Sequence, residues 1–156
     1  MFNFSKKKSE SLRPVMTGEV VNLEKVPDLV FSQKMIGDGF AVVPTSGVVV
    51  APVDGTIVQI FPTNHAFGIV TEQGLEILVH IGIDTVELKG EGFKRLADVD
   101  QIVKAGTPII EIDLEYVKAH AKSVITPVVI TNKEKVKSIK VNYGKDPKIA
   151  ATVEIN

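Results

Sequence analysis

The sequence predicts an all-β domain, an antiparallel sandwich or barrel-sandwich with at most one or two short helices, and three observations carry that expectation. Valine and isoleucine supply 40 of the 156 residues, against 8 leucines. Branching at Cβ favours the pleated, half-buried surface of a strand over a helix. Short apolar runs recur between glycine and proline turn signals along the chain, the punctuation of a sandwich or barrel. One segment also echoes another: Pro14-Val-Met-Thr-Gly-Glu-Val-Val-Asn-Leu23 matches Pro52-Val-Asp-Gly-Thr-Ile-Val-Gln-Ile60, with Gly18, Val20 and Val21 answering Gly55, Ile57 and Val58. Each copy reads as a proline-led turn, a glycine at a bend, and a strand. Two copies imply repeated β units rather than a solenoid, which needs more.

Taken in order, strands are expected at Gly18–Val21, Phe40–Val43, Val48–Val50, Thr56–Phe61, Phe67–Val70, Leu75–Ile81, Pro108–Ile112, Pro127–Ile130 and Thr152–Ile155. Leu114-Glu-Tyr-Val-Lys-Ala-His-Ala-Lys122 places apolar residues at 114, 117 and 121 behind Asp113, a fitting N-cap, and is expected to be helical. A further turn or two of helix is expected near Phe93–Ala97. The Lys133-Glu-Lys-Val-Lys137 run reads as a solvated turn or strand edge. Residues 1–13 read as a flexible tail and residues 14–156 as a single domain.

Composition narrows the chemistry. Apolar residues make up 44% and charged residues 24% of the chain, as in soluble globular proteins. A net charge of −1 gives no basic field for nucleic acid. The absence of cysteine removes disulfides and thiolate chemistry. No stretch approaches the ~20 apolar residues of a membrane span, and Lys6, Lys7 and Lys8 follow Phe2 and Phe4 in the wrong order for a signal peptide. Those residues could touch an anionic membrane weakly; a solvated tail is the plainer reading. The expectation is a cytoplasmic protein, monomeric by default.

Only three histidines occur, and two bracket one hairpin, His65-Ala-Phe-Gly-Ile-Val-Thr-Glu-Gln-Gly-Leu-Glu-Ile-Leu-Val-His80. A two-residue Gln73-Gly74 loop makes them diagonal neighbours, about 7–8 Å apart. A loop starting one residue earlier puts them directly opposite, at about 4.5–5.5 Å. A three-residue loop without a bulge puts them on opposite faces. Two adjacent imidazoles suit group transfer: a neutral ring is a nucleophile near neutral pH, and its neighbour can donate a hydrogen bond to a transferred phosphoryl group. Thr63, two residues before His65 on a strand, would share its face and orient that ring. Gly82, two residues after His80, leaves that face uncrowded. Asp28 and Asp84 are candidates for an acidic rim, and Phe31, Phe61, Phe67 and Val86 for an apolar collar that docks a partner. His120, between Lys118 and Lys122, reads as a solvated surface residue. No phosphate-cradling glycine loop, nucleophile elbow or nucleotide fingerprint is present, so direct use of ATP is not expected.

These residues also form longer signatures. Val26-Pro-Asp-Leu-Val-Phe31, Ile36-Gly-Asp-Gly39, Ala51-Pro-Val-Asp-Gly-Thr-Ile57, Thr63-Asn-His-Ala-Phe67 and Leu78-Val-His-Ile-Gly-Ile-Asp-Thr-Val-Glu-Leu-Lys-Gly-Glu-Gly-Phe93 resemble the IIA domain of the glucose family of the bacterial phosphoenolpyruvate-dependent sugar phosphotransferase system, from about Pro14 to Ile155. The resemblance implies an antiparallel β-sandwich that works as a phosphocarrier. By matching position, His80 is the phosphorylated nucleophile, His65 its phosphoryl-stabilising partner, and Thr63 the residue bonded to that partner. The implied donor is phospho-HPr, and the implied acceptor is a cysteine on a IIB domain. Asp28 and Asp84 match acidic positions near the docking face. No cofactor is required, although zinc could bind His65 and His80 at an interface.

Two other readings are weaker. Ala51–Ile57 and Val103-Lys-Ala-Gly-Thr-Pro-Ile-Ile110 are similar to parts of lipoyl and biotinyl carrier domains, but no lysine-bearing hairpin tip of their pattern is present. A zinc hydrolase of related β architecture needs a His-x-His pair, and Leu78 occupies the second histidine's place.

Overall fold

The computed structural model describes residues 8–156, so the readings on Phe2, Phe4, Lys6 and Lys7 lie outside the described residues, as does most of the expected tail. Its strands are β1 Ser9–Leu12, β2 Gly18–Val21, β3 Asp38–Pro44, β4 Val48–Val50, β5 Gly55–Ile60, β6 Ala66–Val70, β7 Glu76–His80, β8 Phe93–Arg95, β9 Ile102–Val103, β10 Pro108–Ile112, β11 Thr126–Ile130, β12 Val136–Val141, β13 Gly144–Lys145 and β14 Ala151–Ile155. Two short α-helices join them, α1 Leu29–Ser32 and α2 Leu114–His120. The large sheet runs β13-β2-β3-β11-β7-β6-β5-β9, and β1-β14-β12 and β4-β10-β8 form two smaller ones. Every pairing is antiparallel.

One core is shared by the three sheets. Phe40, Phe67, Ile69, Ile77 and Val79 of the large sheet meet Leu12 of β1, Val49 of β4, Ile109, Ile110 and Ile112 of β10, and Val153 of β14. A second, smaller cluster of Leu23, Val26, Phe31, Ala41, Ile83, Ile125 and Val129 forms separately. Alternation divides the two: Phe40 and Val42 of β3 join the large core while Ala41 joins the small one. β11 does the same with Val128 and Val129, which is why Thr126–Ile130 is buried throughout. A strand covered on both faces reads as a continuous apolar run.

The repeated segments occupy equivalent places. A Cβ on Gly18 would lie 2.1 Å from the Val43 carbonyl oxygen of the next strand, and one on Gly55 would lie 2.6 Å from that of Val70. Both glycines let the strand they open approach its neighbour, so the echo in sequence is an echo in packing.

Two expectations are corrected. Ser9–Leu12 is strand, its partner β14, so the domain begins ahead of residue 14; four residues with one buried side chain give too little periodicity to detect. Residues 93–95 form the edge strand β8 against β10, not a helical turn. The lysine run 133–137 is, as expected, an exposed turn and strand edge: a 3-10 turn at Lys133–Lys135 leads into β12, the edge strand beside β14. The Asp113 cap holds, its side chain accepting from Tyr116 N–H. Among the described residues no helix is long and apolar enough to cross a membrane.

Candidate functional site

β5 and β6 are joined by loop 62–65, closed by the Phe61 N–H donating to the Ala66 carbonyl at 2.9 Å. Within it Thr63 and Asn64 are both left-handed, at φ 70 and 64, and His65 returns to the right-handed helical region at φ −88, ψ −7. β6 and β7 are joined by loop 72–74, where the Thr71 N–H donates to the Leu75 carbonyl at 3.0 Å and Gly74 has φ 94. That loop sets a register in which Ala66 faces His80 and Phe67 faces Val79.

In this register an extended residue 65 would point with Phe67 into the core. The helical backbone of His65 turns its ring the other way. The two imidazoles meet at 5.4 Å between centroids, inclined at 72°. The sequence reading had His65 and Thr63 on one strand; both lie in the loop instead, and the loop brings the rings together. The Thr63 hydroxyl still lies 2.9 Å from His65 Nδ1.

His80 ends β7 half-buried. Its Nδ1 is 2.7 Å from the Gly82 carbonyl oxygen. A carbonyl only accepts, so Nδ1 carries the proton and Nε2 keeps a free lone pair. Gly82, expected to leave space, supplies this carbonyl from a left-handed turn at φ 75. A Cβ there would come 2.6 Å from Thr85 Cγ2 and 2.9 Å from the Ser123 carbonyl oxygen.

Burial lowers the pKa of both rings below 6.5. For His65 the charge of His80 lowers it further, and a hydrogen bond to the Pro62 backbone pulls the other way. For His80 the Gly82 carbonyl, then Asp28 and Asp84, pull upward without overcoming burial. Both rings are therefore neutral at pH 7, yet a positive charge arising on His80 would find three groups arranged to stabilise it.

Of the expected collar, Phe31 packs on His80 at 5.2 Å and Phe61 on His65 at 5.7 Å. Phe31 is buried in the small core, so it backs the ring rather than offering a free surface. Phe67 is fully buried in the large core, which corrects its placement in the collar: it faces opposite to Ala66 and cannot meet a partner. Val86 is 52% exposed, as are Leu29 and Val30 of α1, at 67% and 40%. Sequence reading missed those last two, because beside Phe31 they look like core. Asp28 caps α1, accepting from the Val30 N–H at 2.8 Å. Asp84 is exposed and left-handed at φ 61. His120 lies on the surface, stacked on Tyr116 at 4.1 Å. Among the described residues no three histidine or carboxylate side chains are placed to hold a metal ion.

An all-β domain with one backed, neutral imidazole facing a second has the groups needed to carry a small electrophilic group. Comparison makes the class specific. Residues 10–136 match the family model described as phosphoenolpyruvate-dependent sugar phosphotransferase system, EIIA 1. The chain is 52% identical over 141 residues to the PTS system glucose-specific EIIA component of Buchnera aphidicola subsp. Acyrthosiphon pisum, covering 90% of this chain and 87% of that protein. It is 51% identical over 148 residues to the component of the same name from Bacillus cereus, covering 95% and 87%. Its fold superposes on glucose permease IIA from Mycoplasma capricolum with a TM-score of 0.89 at 39% identity, over 97% of this chain and 99% of that one. The chain belongs to the EIIA 1 family of the sugar phosphotransferase system, and it is a phosphotransferase component, a phosphocarrier of sugar uptake.

Proposed function

We propose that His80 is the residue that carries the phosphoryl group, taking it from phospho-HPr on Nε2 and yielding it to a cysteine of a IIB domain. The observation that carries this reading is the Nδ1–Gly82 hydrogen bond, which leaves Nε2 as the only nucleophilic atom of a neutral ring. In the forward step the donor's N–P bond breaks and its ring recovers the electron pair, while the Nε2–P bond forms. His80 keeps its Nδ1 proton, and the ring cation so produced is stabilised by the Gly82 carbonyl and by Asp28 and Asp84.

His65 has the second role. The Thr63 hydroxyl lies 2.9 Å from its Nδ1; in the tautomer in which that hydroxyl donates, the ring proton sits on Nε2 and can be donated to a phosphoryl oxygen. Val86, Leu29 and Val30 supply exposed apolar surface beside the site. Asp28 and Asp84 complement a basic donor and steer encounter. The transfer as written needs no metal; zinc held by His65 and His80 would need further ligands from a partner. The same reading places the chain in the cytoplasm as a monomer, with a glucose-family permease as its acceptor.

The test is transfer of labelled phosphate from phosphoenolpyruvate through purified enzyme I and HPr, followed by mapping of the labelled residue. Label on Nε2 of His80 is expected. Label on His65 or His120 instead would overturn the assignment.

A further inference from the structure

Among the described residues four polar side chains are buried, His65, Thr71, Thr85 and Thr126, the last two with no exposure at all. Two of these threonines converge on a single peptide unit. The Thr85 hydroxyl donates to the Ile81 carbonyl at 2.7 Å. The Gly82 N–H, at the other end of the same peptide plane, donates to the Thr126 hydroxyl oxygen at 3.3 Å. Thr126 in turn donates to the Val124 carbonyl at 3.0 Å, which fixes the direction of its lone pairs. Both threonines are 0% exposed, so no water competes for these bonds. They come from different elements, a 3-10 turn and β11, and hold the Ile81–Gly82 peptide from two sides.

The two peptide planes that meet at Gly82 together set where its carbonyl points. The Gly82 carbonyl's own plane ends in the Ile83 N–H, which donates to the Ser123 carbonyl at 2.9 Å. With the Ile81 carbonyl and the Gly82 N–H also fixed and Gly82 φ held at 75, the Gly82 carbonyl is aimed at His80 Nδ1. The Thr85 methyl lies where a Gly82 side chain would stand, so packing restrains the glycine from a third direction. We propose that Thr85 and Thr126 are positioning residues for phosphoryl transfer, clamping the Ile81–Gly82 peptide so that His80 exists in one tautomer, with the proton on Nδ1. The proposal rests on His80 being the carrier for its kinetic consequence only; the tautomer is a property of the resting protein. A free Gly82 peptide would let the ring exchange its proton between nitrogens, and molecules protonated on Nε2 could not attack.

The test pairs isosteric and conservative variants, Thr85→Val and Thr126→Val against Thr85→Ser and Thr126→Ser. Valine keeps the shape and removes the hydroxyl; serine keeps the hydroxyl and removes a methyl. The first readout is the pair of ring nitrogen resonances of His80 in 15N-labelled protein without phosphate, which distinguishes the tautomers directly. The wild-type and serine proteins are expected to show one tautomer and the valine proteins a mixture. The second readout is the rate of phosphate uptake from phospho-HPr, expected to fall on the order of tenfold with valine and to recover with serine. A single Nδ1-protonated tautomer in both valine variants would overturn the proposal, as would serine variants that behave like valine. Should Thr126→Val not fold, because it orphans a buried N–H, Thr85→Val decides alone: it removes a donor, and its carbonyl partner keeps some freedom to relax. If the tautomers shift as expected but label never reaches His80, the clamp stands and the carrier assignment falls.

Discussion

His65 and His80 face each other at 5.4 Å although the hairpin register pairs His80 with Ala66. Their meeting depends on the helical backbone of His65 at the end of the ladder, where its carbonyl still accepts from the Ile81 N–H at 2.7 Å, so it belongs to the loop before β6. The chemistry then divides between a ring fixed by a carbonyl and a ring fixed by a hydroxyl.

The division predicts different losses from similar replacements. His80→Gln removes the nucleophile, and no label should be retained from phospho-HPr above background. His65→Gln leaves the nucleophile and removes a donor to the phosphoryl group. Onward transfer to the IIB domain should slow on the order of a hundredfold, with uptake less affected. Rapid-quench measurement of both half-reactions checks this, and equal loss in the two steps for His65→Gln would contradict the separate roles.

Asn64 tests how the rings are brought together. Its φ of 64 suits asparagine or glycine and strains a β-branched residue. Asn64→Gly should keep transfer near wild type, because the loop geometry survives. Asn64→Val should cost about 1–3 kcal/mol of stability if the loop is retained, or else turn His65 toward the core. Urea unfolding combined with cross-relaxation between the two rings separates these results. A valine variant with unchanged stability and unchanged ring contact would show that the left-handed pair is not what places His65.

The exposed and buried members of the expected collar should part company. Phe67→Ala opens a cavity in the large core and should cost about 3–5 kcal/mol, seen as a drop in melting temperature on the order of 10 °C. Val86→Asp should change stability by less than about 0.5 kcal/mol but raise the KM for phospho-HPr. A Val86→Asp protein with wild-type KM would remove that residue from the docking surface.

The extent to which this was legible in the sequence follows from what local pattern encodes. The β-branched runs and the proline-glycine echo specify strands and their packing glycines, and the fold class follows from them. The histidine pair was legible as two residues flanking a turn, but its geometry was not. Asn64 carries its left-handed conformation without a glycine to announce it, so a run that looked extended contained a tight loop. Phe67 and Phe31 are alike in sequence, and only the β6–β7 register and the small core at Ala41 and Val129 assign one to the large core and the other to the back of His80. The roles of Thr85 and Thr126 depend on residues from two distant segments meeting one peptide, which no local window contains.

The lowered pKa values predict a pH dependence with a definite sign. In the unfolded chain both histidines titrate near 6.5; in the folded protein burial holds both below it. The folded state therefore binds fewer protons than the unfolded state as pH falls below 6.5. Stability should be flat above about pH 7, then decline through the interval between 6.5 and the folded pKa values. His80→Gln removes one of the two contributions, so its decline over that interval should be shallower than that of the wild type, and urea midpoints measured from pH 8 to pH 5 check the comparison. Uptake of phosphate should follow the folded pKa, since only the neutral ring attacks. Its acid limb should consequently fall below pH 6.5, and a half-maximal rate at or above that pH would mean that His80 is not held neutral by its surroundings.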